Sequence, residues 1–179
     1  MRYLFLSGSL RKNSFNTKLL HLAAQHLHCA HSDIANLNEL SIPLYSGDIE
    51  AVGIPEGVQK LAKCIEQAQA LIIASPEYNY SISGVLKNAI DWISRVRPMP
   101  FRKKPILLLA ASMGPIAGIR GLWQTRIPLE GLGNYVYPDM FSLGIAHEAL
   151  NEQEFVNADD QKRFTSMLDG FTEFAKKLA

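Results

Sequence analysis

Ala70-Leu71-Ile72-Ile73-Ala74, followed by Ser75-Pro76, decides how this chain folds. Five residues in a row are apolar, with no polar alternation. A strand wet on one face alternates, whereas a continuous apolar run asks to be buried on both faces. Pro76 ends the run, because proline has no N–H for a sheet ladder. Two other stretches share this character: residues 2–6, which run into Ser7-Gly8-Ser9, and Pro105-Ile106-Leu107-Leu108-Leu109-Ala110-Ala111. Weaker strands are expected at residues 33–37 and within 135–145.

Between the strands the apolar period lengthens to three and four residues, the mark of a helix face. Leu19, Leu20, Leu22, Ala23 and Leu27 form one such face, with Ser14 or Asn16 as its cap. Residues 55–68 carry Val58, Leu61, Ala62 and Ile65, with Pro55 in the first turn. Helices are also expected at 83–95, at 118–132 despite Pro128, and at 159–178. Residues 41–54, rich in Pro, Gly and Ser, read as loop.

Strand and helix therefore alternate five times, which implies a parallel sheet covered on both faces. The expected fold is α/β: one domain over residues 1–179, a three-layer sandwich on a five-stranded parallel sheet. Strand order 2-1-3-4-5, the flavodoxin-like arrangement, suits five strands. Ligands in such sheets bind beyond the carboxyl ends of the strands. The loops after strands one, three and four are therefore the ones that matter.

The 179 residues are 47% apolar and 20% charged, an ordinary globular balance. Net charge is 18 − 17 = +1, which gives no electrostatic case for nucleic acid. No apolar run reaches the ~20 residues of a membrane span, so no membrane insertion is expected. The N-terminus shows no signal-peptide layout. Cys29 and Cys64 lack CxxC spacing and read as reduced thiols of a cytoplasmic protein; one disulfide is the alternative. His21, His26, His28 and His31 cluster without an acidic partner, and read as solvated helix-face residues rather than a metal site.

The first loop, Ser7-Gly8-Ser9-Leu10-Arg11-Lys12-Asn13-Ser14-Phe15-Asn16-Thr17, precedes a helix start. Free N–H groups, the helix dipole, short hydroxyl side chains and two cations suit a phosphate. A capped helix with a polar surface loop is the plainer alternative. Neither G-x-G-x-x-G nor G-x-x-x-x-G-K-[ST] is present. The third-strand loop, Ser75-Pro76-Glu77-Tyr78-Asn79-Tyr80-Ser81-Ile82-Ser83-Gly84, has the tyrosines to frame a flat ring, or to pack a domain edge or a partner subunit. The fourth, Ser112-Met113-Gly114-Pro115-Ile116-Ala117-Gly118, is small enough for close backbone approach. Nothing ties Glu77 to Asp91 as an acid/base pair, and no G-x-S-x-G elbow supports a serine hydrolase.

These loops resemble the NAD(P)H-dependent FMN reductases. Gly8-Ser9-Leu10-Arg11 with Ser14-Phe15-Asn16 looks like that family's phosphate loop. Pro76-Glu77-Tyr78-Asn79-Tyr80-Ser81, then Gly84 and Leu86-Lys87-Asn88-Ala89-Ile90-Asp91-Trp92, looks like its second signature. Within the family the likeness is to the bacterial quinone reductase branch, whose members also reduce chromate and azo dyes. The resemblance implies FMN as cofactor and NADPH or NADH as electron donor. Ser9, Arg11, Ser14, Phe15, Asn16 and Thr17 would then hold the phosphate, Phe15 through its backbone. Pro76, Glu77, Tyr78 and Asn79 would bind the isoalloxazine ring, and Ser112 and Gly114 would contact the ring or ribityl chain from the other side. Arg11 and Tyr80 would meet the nicotinamide cofactor or the rim of the substrate pocket. A carboxylate in place of Asn16 is expected to weaken FMN binding.

The resemblance further implies a small-molecule electron acceptor, no catalytic protein nucleophile, and a homodimer or homotetramer with helix 83–95 near the subunit contact. In the fourth loop the family's two adjacent glycines are Ala117-Gly118 here. Arg11 and Lys12 suit either a 2′-phosphate of NADPH or the FMN phosphate. The rival readings are a non-catalytic flavodoxin-like electron carrier, against which the +1 charge speaks, and a binding domain that has lost its flavin.

Overall fold

A computed structural model describes residues 1–29, 34–151 and 153–178. In chain order the elements are β1 (Tyr3–Ser7), α1 (Phe15–His26), β2 (Ile34–Ala35), α2 (Gly47–Val52), α3 (Glu56–Gln67), β3 (Ala70–Ala74), α4 (Gly84–Ile93), β4 (Pro105–Ala111), α5 (Ile119–Gly131), β5 (Tyr135–Val136), β6 (Phe141–Leu143), α6 (Ala146–Ala149) and α7 (Ala158–Lys176). The sheet runs β2-β1-β3-β4-β5, with β6 also on β4, and every pairing is parallel. This is the flavodoxin-like 2-1-3-4-5 order with its fifth position filled by two short strands.

The alternation of side chains along each strand builds two cores. Leu4, Leu6, Leu71, Ile73, Ile106 and Leu108 face α3, α4 and α5. Tyr3, Phe5, Ile72, Leu107 and Leu109 face α1 and α7, where Phe164, Leu168 and Phe171 close the layer. Each large apolar side chain buried this way contributes roughly 1.5–3 kcal/mol. The three central strands are buried along their whole length, which explains why their runs lack alternation.

Four local features differ from the sequence reading. The expected loop 41–54 contains α2, started by Ser46, whose Oγ accepts from Asp48 N at 3.2 Å. Pro55 is the cap of α3, one residue before the first turn. The expected second strand narrows to Ile34–Ala35, while Asp33 lies outside the described residues. The fifth strand breaks in two: Tyr137 N still donates to Ile106 O at 2.8 Å, the chain then leaves β4 over residues 138–140, and pairing resumes at Phe141 opposite Leu109. Pro128 does lie inside a helix that continues to Gly131.

The stretch around Asn88 and Trp92 has a structural task. Asn88 accepts from Tyr45 N at 2.8 Å and donates to Pro43 O at 2.9 Å; Trp92 Nε1 donates to the same oxygen at 2.8 Å. Together they strap residues 43–45 onto α4. Among the described residues no helix is long and apolar enough to cross a membrane.

Candidate functional site

Ser7 of β1 pairs in register with Ala74 of β3, so the loops leaving the two strands begin side by side. Gly8 N donates to Ala74 O at 2.8 Å, and Ser83 Oγ donates to Gly8 O at 2.7 Å. A Cβ at Gly8 would stand 2.8 Å from Ser75 Oγ, so glycine is required for the first loop to lie this close to the third. Within the first loop, Ser7 Oγ meets Thr17 Oγ1 at 2.9 Å and Arg11 N donates to Ser9 Oγ at 3.3 Å. Ser14 caps α1, its Oγ accepting from Thr17 N at 3.5 Å. The N–H groups of Phe15 and Asn16, in the first turn, have no intrahelical acceptor and carry the positive end of the helix dipole. Arg11 and Lys12 are exposed beside them.

Asn16 is buried, and its carboxamide bridges to β4. Nδ2 donates to Ala111 O at 3.0 Å and Oδ1 accepts from Ala111 N at 2.9 Å. Its side chain thus ties the start of α1 to the exit of β4.

The third loop is a tight hairpin. Tyr78 and Ser81 exchange both backbone hydrogen bonds at 3.1 Å across Asn79 and Tyr80. Asn79 (φ 49°) and Tyr80 (φ 64°) are both left-handed, the requirement of a type I′ turn. Asn accepts that conformation readily; Tyr does so at a cost of about 1–2 kcal/mol. The turn holds both tyrosines outward, Tyr78 half exposed and Tyr80 mostly exposed. Strain of this kind persists where surrounding contacts over-determine it. Here the Arg120 guanidinium lies 4.8 Å from the centre of the Tyr80 ring, and Glu77 Oε2 accepts from Gly121 N at 2.9 Å.

The fourth loop folds back on residues 143–146. Ser112 N donates to Leu143 O at 2.9 Å, Ala146 N donates to Ser112 O at 2.9 Å, and Ser112 Oγ accepts from Gly114 N at 3.2 Å. Ala117 (φ 62°) and Gly118 (φ 78°) are both left-handed, so the alanine takes a conformation that favours glycine.

The three loops enclose one cleft, lined by Ser9, Arg11, Ser14, Phe15, Asn16, Pro76, Glu77, Tyr78 and Ser112 together with Ala111 and Met113. The remaining expected residues sit around it. Thr17 turns its hydroxyl to Ser7, Gly114 supports Ser112, and Asn79 and Tyr80 form the hairpin tip. Glu77 and Asp91 are each engaged elsewhere, with Gly121 N and with Lys87 Nζ at 2.7 Å. The sequence places Ser7 and Ser83 within the loops and Arg120 just after the fourth, but gives none of them a role, and it does not single out Gly121. A Cβ at Gly121 would lie 3.0 Å from Glu77 Cβ and 3.1 Å from its Cα.

Elsewhere, neither Cys29 nor Cys64 is in a disulfide among the described residues. His26 Nε2 lies 2.7 Å from Asp169 on α7, and His31 lies outside the described residues. Among the described residues no group of three or more His, Cys, Asp or Glu side chains could hold a metal ion.

Residues 1–148 match the family profile of NADPH-dependent FMN reductases. Over 178 residues the chain is 36% identical to a quinone reductase of Escherichia coli K12, covering 97% of this chain and 94% of the relative. It is 42% identical over 127 residues to an NAD(P)H-dependent FMN reductase of Pseudomonas aeruginosa, covering 70% of this chain and 68% of the relative. The structure is similar to that of FerB, a flavoenzyme NAD(P)H:(acceptor) oxidoreductase from Paracoccus denitrificans. The TM-score is 0.83 at 26% identity, over 99% of this chain and 98% of that one. With three loops meeting at the carboxyl edge of a 2-1-3-4-5 sheet and a family profile spanning most of the sequence, the chain belongs to the NADPH-dependent FMN reductase family.

Proposed function

We propose that this protein binds FMN in the three-loop cleft and uses NAD(P)H to reduce quinones or similar small acceptors by a ping-pong mechanism. The carrying observation is the polarity of the cleft. Its first-loop end offers hydroxyls, the first-turn N–H groups of α1 and a cation, and the loop from Ser7 to Thr17 contains no carboxylate. Its other end has Pro76, Tyr78 and Met113 as walls for a flat ring. The residues present therefore fit FMN: a phosphate at Ser9, Ser14 and the N–H groups of Phe15 and Asn16, with Arg11 over it. The one acid on the cleft, Glu77, has its carboxylate on Gly121 N, away from the anionic end.

FMN, when bound, would supply the two-electron chemistry between donor and acceptor. The protein's part is binding and orientation. Pro76 and Tyr78 would hold one side of the ring, and Ser112, supported by Gly114, would bound the other. Arg11 and Tyr80 border the open face, where donor and acceptor follow one another. A quinone leaves as hydroquinone, having gained two electrons and two protons, one of them from solvent.

The whole chain would work as one FMN-binding domain. We place it in the cytoplasm as a homodimer or homotetramer, on the family resemblance. The exposed Trp123 and Ile127, one turn apart on α5, favour burial against a second copy.

The test is the visible spectrum of the FMN-loaded protein without oxygen, before and after NADPH or NADH. A bound flavin spectrum that bleaches within the mixing time and recovers on adding benzoquinone is expected. Protein that retains no flavin, or flavin that stays oxidised with both donors, overturns the reading.

A further inference from the structure

On the other side of the first loop from the flavin cleft lies a second cavity, of about 460 Å³. Its walls are residues 9–12 with Ser7, Thr17 and His21 on one side, and the exit of β2 from Ile34 to Glu39 on the other. Ser9 and Arg11 line both cavities, so the ridge between them is only the loop backbone and these two side chains. Lys12 lines the second cavity alone.

The charges on this cavity are unequal. Lys12 is exposed, and among the described residues no carboxylate lies within ion-pair distance of it. The one acid on the opposite wall, Glu39, is held: Asn36 Nδ2 donates to its Oε1 at 2.7 Å. Asn36 Oδ1 in turn accepts from Asn38 N at 3.0 Å. The β2 exit is thereby a closed turn, and the cavity carries two cations, Arg11 and Lys12, against the single carboxylate of Glu39.

A dinucleotide is two nucleosides joined by a pyrophosphate. With the nicotinamide half over the flavin ring, a pyrophosphate crossing the ridge meets Arg11, and the adenosine half enters the second cavity. We propose that this cavity is the adenosine 2′-phosphate subsite of the electron donor, and that Lys12 selects NADPH over NADH. This rests on the functional reading above for the nicotinamide half. A compact ammonium suits a phosphate monoester as a point charge. It also removes an ambiguity of the sequence: the FMN phosphate and the donor phosphate fall on opposite flanks of one loop, with Lys12 on the donor's side.

The experiment titrates the FMN-loaded protein calorimetrically with adenosine 2′,5′-bisphosphate and with 5′-AMP, in the wild type and in Lys12→Ser. The wild type is expected to bind the bisphosphate about 10-fold more tightly than 5′-AMP. Lys12→Ser is expected to erase that preference while leaving FMN affinity unchanged. In turnover the variant should show KM for NADPH raised by a similar factor and KM for NADH unmoved. Failure of the wild type to bind either nucleotide, equal wild-type affinities, a preference that survives Lys12→Ser, or displacement of FMN by the bisphosphate overturns the subsite. The functional reading fails separately: it fails if flavin is not retained or not bleached, whatever the nucleotides do.

Discussion

Asn16 and Ala111, ninety-five positions apart in sequence, are joined by two hydrogen bonds, 3.0 Å from Nδ2 to Ala111 O and 2.9 Å from Ala111 N to Oδ1. One side chain thus satisfies both backbone groups at the end of β4 and fixes the first loop to the fourth across the floor of the cleft. The sequence alone suggests that Asn16→Asp weakens FMN binding by setting a carboxylate beside a phosphate. The geometry adds a different reason. The aspartate loses the donor to Ala111 O and faces that carbonyl with negative charge. We expect Asn16→Asp to lower the stability of the flavin-free protein by about 1–3 kcal/mol in urea denaturation. Unchanged flavin-free stability with weakened FMN binding would show that the phosphate alone feels the change.

Gly121→Ala tests the junction of the third loop with α5. Its methyl would press on Glu77 Cβ and Cα at 3.0 and 3.1 Å and on Ser81 O at 3.2 Å. The hairpin must then move outward. The expected cost is about 1–3 kcal/mol of stability, with a weaker FMN affinity by fluorescence titration. An FMN affinity equal to wild type would remove this contact from the machinery of the site.

The Tyr80 and Arg120 pair links the third loop to the first turn of α5. A double-mutant cycle with Tyr80→Leu and Arg120→Ala, followed by urea denaturation, should give a coupling of about 0.5–1 kcal/mol. Additive effects would mean that the stacked arrangement does not join loop and helix in solution.

Ala117 holds a φ of 62°. Ala117→Gly relieves that strain, and a gain of about 1 kcal/mol is expected. A loss of stability would place the value of the alanine in the stiffness it gives the unfolded chain.

Tyr3 sits under α7, its hydroxyl 2.8 Å from Thr172 Oγ1, and burial raises its phenol pKa above the usual value of 10.0. Its contribution is complete below that value. As the pH rises past it, the unfolded phenol ionises first while the folded one keeps its proton, so stability falls. Tyr3→Phe should cost about 1 kcal/mol near neutral pH. The gap between wild type and variant should narrow in denaturation curves measured above pH ~10. A gap that stays constant with pH would refute this account.

The strands that build the sheet were legible because each is apolar throughout. The limits found for residues 70–74 and 105–111 match the sequence reading for that reason. The fifth strand was not legible as two pieces, since the period of residues 135–145 cannot say where the chain leaves β4 and where it returns. The loop 41–54 hid α2 because its helix is too short for a period and is held by Ser46 alone at its start. In the site, the resemblance pointed to loop residues by motif. It did not separate those whose side chains face the cleft from those, like Thr17 and Asn16, whose side chains hold the loops together.

By itself the sequence determined the layered α/β architecture, the carboxyl-edge loops and the family, since these follow from patterns along the chain and from short contiguous motifs. Only the tertiary structure decided which residues far apart in sequence share hydrogen bonds. Asn16 with Ala111, Glu77 with Gly121 and Tyr80 with Arg120 are such pairs. The same packing decided on which flank of the first loop Lys12 falls. Periodicity reports what a residue does for its own element. Pairing across elements depends on the register of β1, β3 and β4 and on the turns that leave them, which no single segment encodes.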